Sequence, residues 1–450
     1  SYCPEGENPV NLKNAFGVVT HGLKMADVGE WLYRITGKSE YQDYATYLYR
    51  AFSTFGINRA FNDLRYPYLV EKDSLFTGHG VHTYEHFRTL VNAWYHTGYP
   101  ELEQAYDNAV YKLEKAILPS GAGHGNEWLA GLEADPTYTH TEYCTMLEFR
   151  NSLASMFQKT GDVKYADHAE KLTFNGMMGF RNADGTAITY GKGDNCYKLD
   201  SQYHGEHETH KDVRYKYSPT HSDPAVCCVP NYSRNYPYYL DQMWLKATDG
   251  LVASMYGPSE LKTNIEGVNV SINQITNYPF SDKITFEIVV DNPATFALYF
   301  RKPAWSEKVV VEVSGATPEE SAGMLKVKKT WKTGDVITLT FVHNPKWQEV
   351  VGEEVYAQRG PLVYALPIAH REEVIKNYEF GNFKDYHCYP LNEDYKSVGI
   401  SVSEDLRFEY DELSPGENPW NQQLPKLKIN KTELVPLGST VLRRVTFPKQ

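Results

Sequence analysis

Hydrophobic and polar positions follow two different periods along the chain, and the change falls near residue 250. Before it, apolar residues recur every three or four positions, which places them on one face of an α-helix. After it, they recur every second position, as in a β-strand with one buried face. The pattern therefore predicts a helical first part followed by a β-rich second part.

The helical part contains an internal repeat. A Thr-Gly pair follows an apolar stretch and precedes a second helical stretch in WLYRITGKSEYQDYA, AWYHTGYPELEQAYDNA and MFQKTGDVKYADHAEKL, with the pairs at 36/37, 97/98 and 160/161. Glycine commonly ends a helix, so each copy predicts a hairpin of two helices. A weaker fourth copy, NYPYYLDQMWLKATDGLVA, ends the series near Gly250.

The first helix of each hairpin opens with side chains that can bind or react. These are His21 in the first copy, His79 and His82 in the second, and Glu142 and Cys144 in the third. If the hairpins form a ring, the starts of these helices converge at one end of it. The repeat thus predicts a pocket there.

Alternating segments predict a β-sandwich after the helices. The predicted strands are VNVSINQI, KITFEIVV, TFALYFRKPAW, KVVVEVSG, MLKVKKTW, DVITLTFV and EVYAQRGPLVYALPI, with KLKIN and TVLRRVTF as closing strands of the tail. We expect a helical domain at 1–250, a β-sandwich at 251–370 and a second β-rich module or extension at 371–450.

Composition and charge exclude several classes of protein. The formal net charge is −12, and no basic stripe suited to a phosphate backbone is present, so nucleic acid is not an expected partner. No apolar run is long enough to predict a membrane span. The first residues, SYCPEGENPV, do not resemble a secretory signal, although a processed chain would lack one. The compartment stays open, with a bacterial periplasm or cytoplasm expected.

Aromatic residues are abundant. Tyr, Phe and Trp number 35, 19 and 8 and make up 14% of the chain. Flat amphipathic rings suit stacking on sugar faces, and an aromatic core with a Tyr-rich surface is the alternative.

Four residues form a candidate metal site. Glu142 and Cys144 stand two apart before a predicted helix, and the adjacent pair Cys227 and Cys228 precedes another. Neighbouring cysteines seldom form a disulfide with each other, whereas zinc accepts three thiolates and a carboxylate. Two other interpretations remain at this point: a disulfide from Cys144 to one of the pair, and plain buried thiols. Cys3, Cys196 and Cys388 have no assigned role.

Glu127 is the second candidate for chemistry. It lies in the Gly-rich stretch HGNEWLAG beside Trp128. Partial desolvation there would raise the pKa of its carboxyl group toward the range of a general acid. A solvated loop glutamate is the alternative.

The order of these motifs resembles a known family. GNEWLAG, TEYC, TGDVKYADHAEKLTFNG and CCVPN, followed by ALYFRKPAW, KKTWKTGDVITLTF and YAQRGPLVYAL, are similar to the motifs of glycoside hydrolase family 127, the β-L-arabinofuranosidases and their relatives. The resemblance covers roughly residues 15–370. It implies a retaining exo-acting hydrolase that removes a terminal furanose from oligosaccharides or fragments of polysaccharides.

The resemblance also implies roles for single residues. Glu142, Cys144, Cys227 and Cys228 match the ligands of a Zn²⁺ ion, and Cys227 matches the nucleophile. Glu127 matches the general acid/base. In the implied reaction Glu127 protonates the leaving oxygen while Cys227 attacks the anomeric carbon, and water activated by Glu127 then releases the sugar.

Other residues are assigned to the substrate or left open. The resemblance implies that His79 and His21 contact the sugar, and we add His82 and Trp128 as substrate-binding candidates. Glu133 competes with Glu127 for the acid/base position. The His-rich segment at 204–221 matches nothing in the family and could bind metal or be a solvated loop.

The family's catalytic domain is an (α/α)6 barrel, which needs six hairpins, and the sequence predicts only three or four. Either the first hairpins are missing or lie on a second polypeptide, or the chain forms an open partial toroid. We expect a missing N-terminal portion or a second polypeptide to complete the barrel. An exposed apolar edge on the first helices would follow. The sequence does not decide whether the chain forms a homo-oligomer.

Two functions from other classes compete with hydrolysis. A polysaccharide lyase can combine an α/α toroid with a β-sandwich, and its products would be unsaturated. A sugar-binding protein with a purely structural zinc would lose stability, but no catalytic rate, on the substitution Cys227→Ser.

Overall fold

The computed structural model describes residues 22–54, 63–204, 214–220, 227–350, 353–379, 381–400, 402–411, 420 and 423–449. A helical first part is followed by a β-rich part of several sheets, as the hydrophobic periods predict.

The helices occupy the first part of the described chain. They are α1 (Met25–Thr36), α2 (Glu40–Thr54), α3 (Tyr66–Leu69), α4 (Gly80–Thr97), α5 (Pro100–Glu114), α6 (Tyr143–Thr160), α7 (Val163–Lys171) and α8 (Cys228–Gln242). A π-helical turn, Leu172–Met177, extends α7. None of the helices in the described ranges is both long and apolar enough to cross a membrane.

The repeat produces three helical hairpins, as predicted. Helices α1, α4 and α6 end at Gly37, Gly98 and Gly161, whose φ angles of 71°, 66° and 71° are left-handed. Each glycine donates its backbone N–H to a carbonyl group of the helix that it ends. Glycine is favoured there because other residues are strained in this conformation.

The fourth copy of the repeat is not a helical hairpin. Its first half forms α8, but its second half forms two antiparallel strands, β3 (Trp244–Ala247) and β4 (Gly250–Ala253). The intervening Thr-Asp-Gly favours a tight turn between strands. A β-carbon on Gly250 would clash with the carbonyl oxygen of Ala297, so the close approach of the neighbouring strand requires glycine here.

Buried helices form the centre of the helical part. α4 and α6 pack side by side, and most residues of both are buried. In contrast, α1 exposes Met25, Val28, Trp31 and Ile35, with 58% of Trp31 and 61% of Ile35 accessible to solvent. Their spacing places them on one face of the helix. The expected exposed apolar edge is therefore present.

Strands β3 and β4 begin the β-rich part, and two five-stranded sheets form its sandwich. The strands that follow are β5 (Ser259–Ile265), β6 (Val268–Ile275), β7 (Lys283–Val290), β8 (Ala294–Arg301), β9 (Lys308–Val313), β10 (Glu319–Ser321), β11 (Met324–Trp331) and β12 (Val336–Val342). The sheet orders are β10-β11-β8-β4-β3 and β5-β6-β7-β12-β9. Apolar residues from both sheets share one core. The predicted strands correspond to β6, β7, β8, β9, β11 and β12.

A third sheet follows the sandwich. Its strands are β13 (Lys346–Val350), β14 (Glu354–Arg359), β15 (Leu362–Pro367), β18 (Arg407–Glu409), β19 (Lys426–Ile429), β20 (Thr432–Pro436), β21 (Arg443–Arg444) and β22 (Phe447–Pro448), while β16 (His370–Asn377) and β17 (Lys384–Pro390) pair separately. The segment TVLRRVTF gives only two short strands, β21 and β22. The buried Arg443 side chain donates to the carbonyl groups of Gly179, Gly193 and Asp194.

Candidate active site

Glu142 and Cys144 lie where a short strand turns into a helix. Glu142 ends strand β1 (Thr141–Glu142), which pairs with β2 (Gly191–Lys192), and is also the N-cap of α6. Cys144 lies in the first turn of α6. This geometry confirms the expected position of both residues at the start of a helix and points them into the end of the helical part.

Cys227 and Cys228 lie at the start of α8, close to Glu142 and Cys144. Cys227 is the N-cap of α8, and Cys228 is its first residue. The ligand atoms of Glu142 and the three cysteines all lie within 4.8 Å of one another, and we call these four residues the cysteine cluster. The sulfurs of Cys144 and Cys228 are 3.3 Å apart, too far for a disulfide, and all five described cysteines are free.

The cysteine cluster is buried and lacks conventional partners. Glu142, Cys144 and Cys228 are completely inaccessible, whereas Cys227 is partly exposed. Neither carboxylate oxygen of Glu142 has a hydrogen-bond partner among the described residues. An ionised carboxylate in such surroundings is costly unless a cation balances it. A carboxylate with three thiols is a donor set that zinc accepts, so the residues present fit a metal ion.

Burial dominates the electrostatics of the cluster. It raises the pKa of Glu142, Cys144 and Cys228 well above their ordinary values. In contrast, hydrogen bonds from Cys144 and then Cys228 lower the pKa of Cys227 to about 3. Cys227 also carries the one sulfur of the cluster that solvent can reach.

Glu127 lies beside the cluster on a strained loop. Its φ angle is 68°, a left-handed conformation that is uncommon outside glycine. The loop packs on the start of α4, where the Gly80 N–H donates to the Glu127 carbonyl group and a β-carbon on Gly80 would crowd Gly125. Glu127 is only 9% exposed, so it is not a solvated loop residue. The competitor Glu133 is exposed and pairs with Lys115.

Three side chains hold the Glu127 carboxylate. His79 Nε2 lies 2.9 Å from Oε2, while Arg214 Nη1 and the Tyr190 hydroxyl lie 3.0 and 2.8 Å from Oε1. Burial alone would raise the pKa of Glu127, but the His79 hydrogen bond and the charges of His79 and Arg214 outweigh it and lower the pKa to about 2. The expectation of a raised pKa for Glu127 is therefore wrong. The sequence alone does not reveal the lowering, because His79, Tyr190 and Arg214 come from distant segments.

Tyr190 connects the two candidate catalytic groups. Its hydroxyl donates to Glu127 and also lies 3.6 Å from the Cys227 sulfur. The Arg214 guanidinium stacks 3.9 Å from the centre of the Tyr190 ring. Neither Tyr190 nor Arg214 was identified from the sequence, where both look like ordinary residues of Tyr- and charge-rich loops. The pairing of β2 with β1, just before α6, is what brings Tyr190 into the site.

The substrate-binding candidates differ in their surroundings. The His79 ring meets the half-buried Trp128 edge to face at 5.5 Å, and its Nδ1 is buried without a hydrogen-bond partner among the described residues. His82 is buried against Glu85, with Nδ1 3.3 Å from Oε2. His21 lies outside the described residues. Most of the His-rich segment 204–221 also lies outside them.

A second cluster of ionisable residues, centred on the buried Glu85, Arg88 and Glu148, lies among the same helices. Glu148 of α6 accepts from Arg88 of α4 at 2.8 Å and from Lys24 at 3.3 Å. Arg88 also contacts Asp27 at 2.8 Å and Glu85 at 3.3 Å. Arg234 of α8 lies 3.7 Å from Glu148 and completes a group of three acidic and three basic residues, which we call the charged network.

Known families match most of the chain. The model described as "Beta-L-arabinofuranosidase, GH127 catalytic domain" matches residues 15–241, and the model of the GH127 middle domain matches residues 250–342. No protein matched in a search of curated sequences.

Solved structures show the same fold. A GH127 β-L-arabinofuranosidase from Geobacillus stearothermophilus T6 is 18% identical, with a TM-score of 0.64 over 94% of this chain and 72% of that one. A GH127 β-arabinofuranosidase is 17% identical, with a TM-score of 0.66 over 95% and 68%. A further structure, described as a glycoside hydrolase, is 18% identical, with a TM-score of 0.73 over 98% and 76%.

Proposed function

Because the chain belongs to glycoside hydrolase family 127, we propose that it removes a terminal furanose, β-L-arabinofuranose or a related sugar, from oligosaccharides with retained configuration. The chain is a glycoside hydrolase, and its substrate is a carbohydrate. The observation that carries the finer proposal is the joint contact of Tyr190 with Glu127 and Cys227. A nucleophile and an acid/base must both reach one glycosidic bond, and retaining glycosidases keep the two groups about 5–5.5 Å apart.

Zn²⁺ is the metal that we assign to the cysteine cluster. The two unpartnered oxygens of Glu142 and the three clustered sulfurs support it. When bound, zinc would keep the cysteines deprotonated and so supply a thiolate at neutral pH without a neighbouring base.

Cys227 is the proposed nucleophile. Among the cysteines of the cluster it alone is accessible, and its position as the N-cap of α8 favours the thiolate form. Its sulfur attacks the anomeric carbon and forms a thioglycosyl-enzyme as the bond to the leaving oxygen breaks. Water then attacks the same carbon, and the sulfur leaves as a thiolate.

Glu127 is the proposed acid/base. Its pKa of about 2 keeps it ionised when no sugar is bound, which suits its role as the base. An ionised carboxylate can deprotonate the attacking water. For the first step it must carry a proton, and a bound sugar favours this because expelling water from the pocket raises the pKa of a carboxyl group. His79, which contacts Oε2, is placed to pass a proton to it.

His79 and Trp128 are the proposed sugar contacts. The unpartnered Nδ1 of His79 can bond to a sugar hydroxyl group, and the half-buried Trp128 ring can pack on a sugar face. His82 faces Glu85, so we propose that it supports His79, whose ring centre lies 4.9 Å from its own. The role of His21 stays a prediction.

We infer that the helical part is a portion of an (α/α)6 toroid within a catalytic domain at 1–250. The expected division of the β-rich part into 251–370 and 371–450 does not follow the sheets: the sandwich strands end at Val342, and the third sheet joins strands from both sides of residue 370. The exposed apolar face of α1 supports the partial toroid, since added helices would cover it. A preceding segment, a second polypeptide or another copy of the chain could supply them. Sedimentation analysis with Trp31→Lys tests this: loss of an oligomer on substitution would identify a second copy.

Trapping the intermediate tests the catalytic proposal. In Glu127→Gln the water is no longer activated, so an aryl β-L-arabinofuranoside with a good leaving group should leave one pentosyl group on the enzyme. Intact mass spectrometry and peptide mapping should locate it on Cys227. Labelling of Cys196 instead, or release of an unsaturated product, would contradict the proposal and the latter would favour the lyase.

A further inference from the structure

Glu142 has more binding capacity than the cysteine cluster uses. Both of its oxygens are completely buried and unpartnered among the described residues, and one ligand position of the cluster needs only one of them. Glu142 also lies within 4.8 Å of ligand atoms of both His79 and Glu127. His79, Glu127 and Glu142 therefore form a second group of three ligands that shares one member with the first.

We propose that His79, Glu127 and Glu142 bind a second divalent cation, joined to the ion of the cysteine cluster through the Glu142 carboxylate. One imidazole and two carboxylates suit zinc or a similar borderline ion. The ion takes the place of the proton between His79 Nε2 and Glu127 Oε2, which are 2.9 Å apart. Carboxylate-bridged pairs of this kind hold their ions about 3.5–4 Å apart.

The partners of Glu127 divide between its two oxygens. Arg214 and Tyr190 contact Oε1, whereas His79 Nε2 contacts Oε2. An ion bound between His79 and Glu127 would therefore replace the His79 hydrogen bond and leave the contacts of Oε1 in place.

The second site has a functional consequence. Its ligands are the proposed acid/base and a proposed sugar contact, so an ion bound there removes both from catalysis. Excess zinc should therefore inhibit the enzyme, in competition with the sugar. This inference rests on the proposed zinc site, because Glu142 belongs to both groups of ligands. Counting the bound ions distinguishes the absence of the second ion from the absence of both.

Metal stoichiometry tests the inference. The full chain is dialysed against increasing concentrations of free zinc, and bound zinc is measured by elemental analysis. We expect one tightly bound equivalent and a second that binds at least about tenfold more weakly, each tenfold step being about 1.4 kcal/mol. Glu127→Gln and His79→Asn should each lose the second equivalent and keep the first.

The His-rich segment supplies the control. Replacing His204, His207 and His210 by alanine should leave both equivalents in place. A single equivalent up to millimolar zinc would overturn the inference, as would a second equivalent that survives Glu127→Gln or disappears with the three histidines. A chain that binds no zinc at all would contradict the proposed function as well. Thermal melting of each variant verifies that it is folded.

Discussion

The same helices hold two groups of ionisable side chains that differ in the charges of their partners. In the charged network, Asp27, Glu85 and Glu148 meet Lys24, Arg88 and Arg234 at distances of 2.8–3.7 Å. In the cysteine cluster, the acidic groups meet one another, and Glu142 has no hydrogen-bond partner among the described residues. The charged network pairs acidic with basic side chains and so needs no ligand to be stable. The unbalanced group is costly unless a cation binds, which is the property expected of a metal site.

The largest expected effect comes from removing the proposed nucleophile, the sulfur of Cys227. Cys227→Ser replaces a thiolate by a much weaker nucleophile, so kcat/KM on an aryl furanoside should fall by on the order of 10³-fold or more. Cys196→Ser is the matched control and should retain activity, because Cys196 is a buried cysteine that is not a member of the cysteine cluster and lies in a separate hydrophobic core. Equal activity of Cys227→Ser and the unchanged chain would rule out Cys227 as the nucleophile.

The next largest effect comes from unbalancing the charged network. Arg88→Met leaves buried Glu85 and Glu148 without their main partner, so the free energy of unfolding should fall by about 3–5 kcal/mol. Arg371→Met breaks the exposed pair with Glu373 and should cost less than about 1 kcal/mol. Denaturant titration measures both. Zinc bound per folded molecule should not change, and its loss in Arg88→Met would show that the two groups are not independent.

The dependence of stability on pH should have opposite signs for Glu148 of the charged network and Glu142 of the cysteine cluster. Burial raises the pKa of Glu148, but Arg88, Lys24 and Arg234 outweigh it and lower the pKa to about 2, so its stabilisation is lost as pH falls from 4.5 toward 2. Burial raises the pKa of Glu142, so the metal-free chain should lose stability as pH rises above 4.5.

Thermal melting at several pH values, with and without a chelator, measures both trends. Glu148→Gln should flatten the acid limb, and added zinc should abolish the loss at higher pH. An identical profile in the presence and absence of chelator would contradict the account of Glu142.

The smallest expected effect concerns the edge of the site. Trp128→Ala removes a half-buried ring beside His79 without touching either buried group. We expect kcat/KM to fall about tenfold, mainly through KM, because a stacking contact of about 1–1.5 kcal/mol is lost. Trp305→Ala, in the sandwich, should leave KM unchanged. A lower kcat at constant KM would instead place Trp128 in the chemical step.

The sequence predicts what depends on local pattern. Thr-Gly pairs predict three helix ends because Gly37, Gly98 and Gly161 each adopt the left-handed conformation that ends a helix. Alternation predicts the strands of the sandwich almost residue by residue. The residue pattern alone makes the cysteine cluster only one of three interpretations, and the family resemblance is what favours a shared ligand set for Glu142, Cys144, Cys227 and Cys228.

What the sequence cannot predict depends on contacts between distant segments. Tyr190 and Arg214 reach Glu127 only through the folded chain, and together with His79 they reverse the expected direction of its pKa shift. The fourth repeat resembles a helical hairpin in composition. Its second half nevertheless forms strands β3 and β4, because β4 pairs with the distant strand β8. The exposed apolar face of α1 is predicted only through the family resemblance, because the family's barrel needs six hairpins and the sequence predicts three or four.

X-ray absorption at the zinc edge tests the central claim most directly. The chain is loaded with one equivalent of zinc, and the ligands are identified from their distances. We predict three sulfurs at about 2.3 Å and one oxygen at about 2.0–2.2 Å, with the number of sulfurs falling to two in Cys144→Ser. A shell of nitrogen and oxygen alone, or a chain that retains no zinc, would contradict the assignment of Glu142, Cys144, Cys227 and Cys228 as a zinc site.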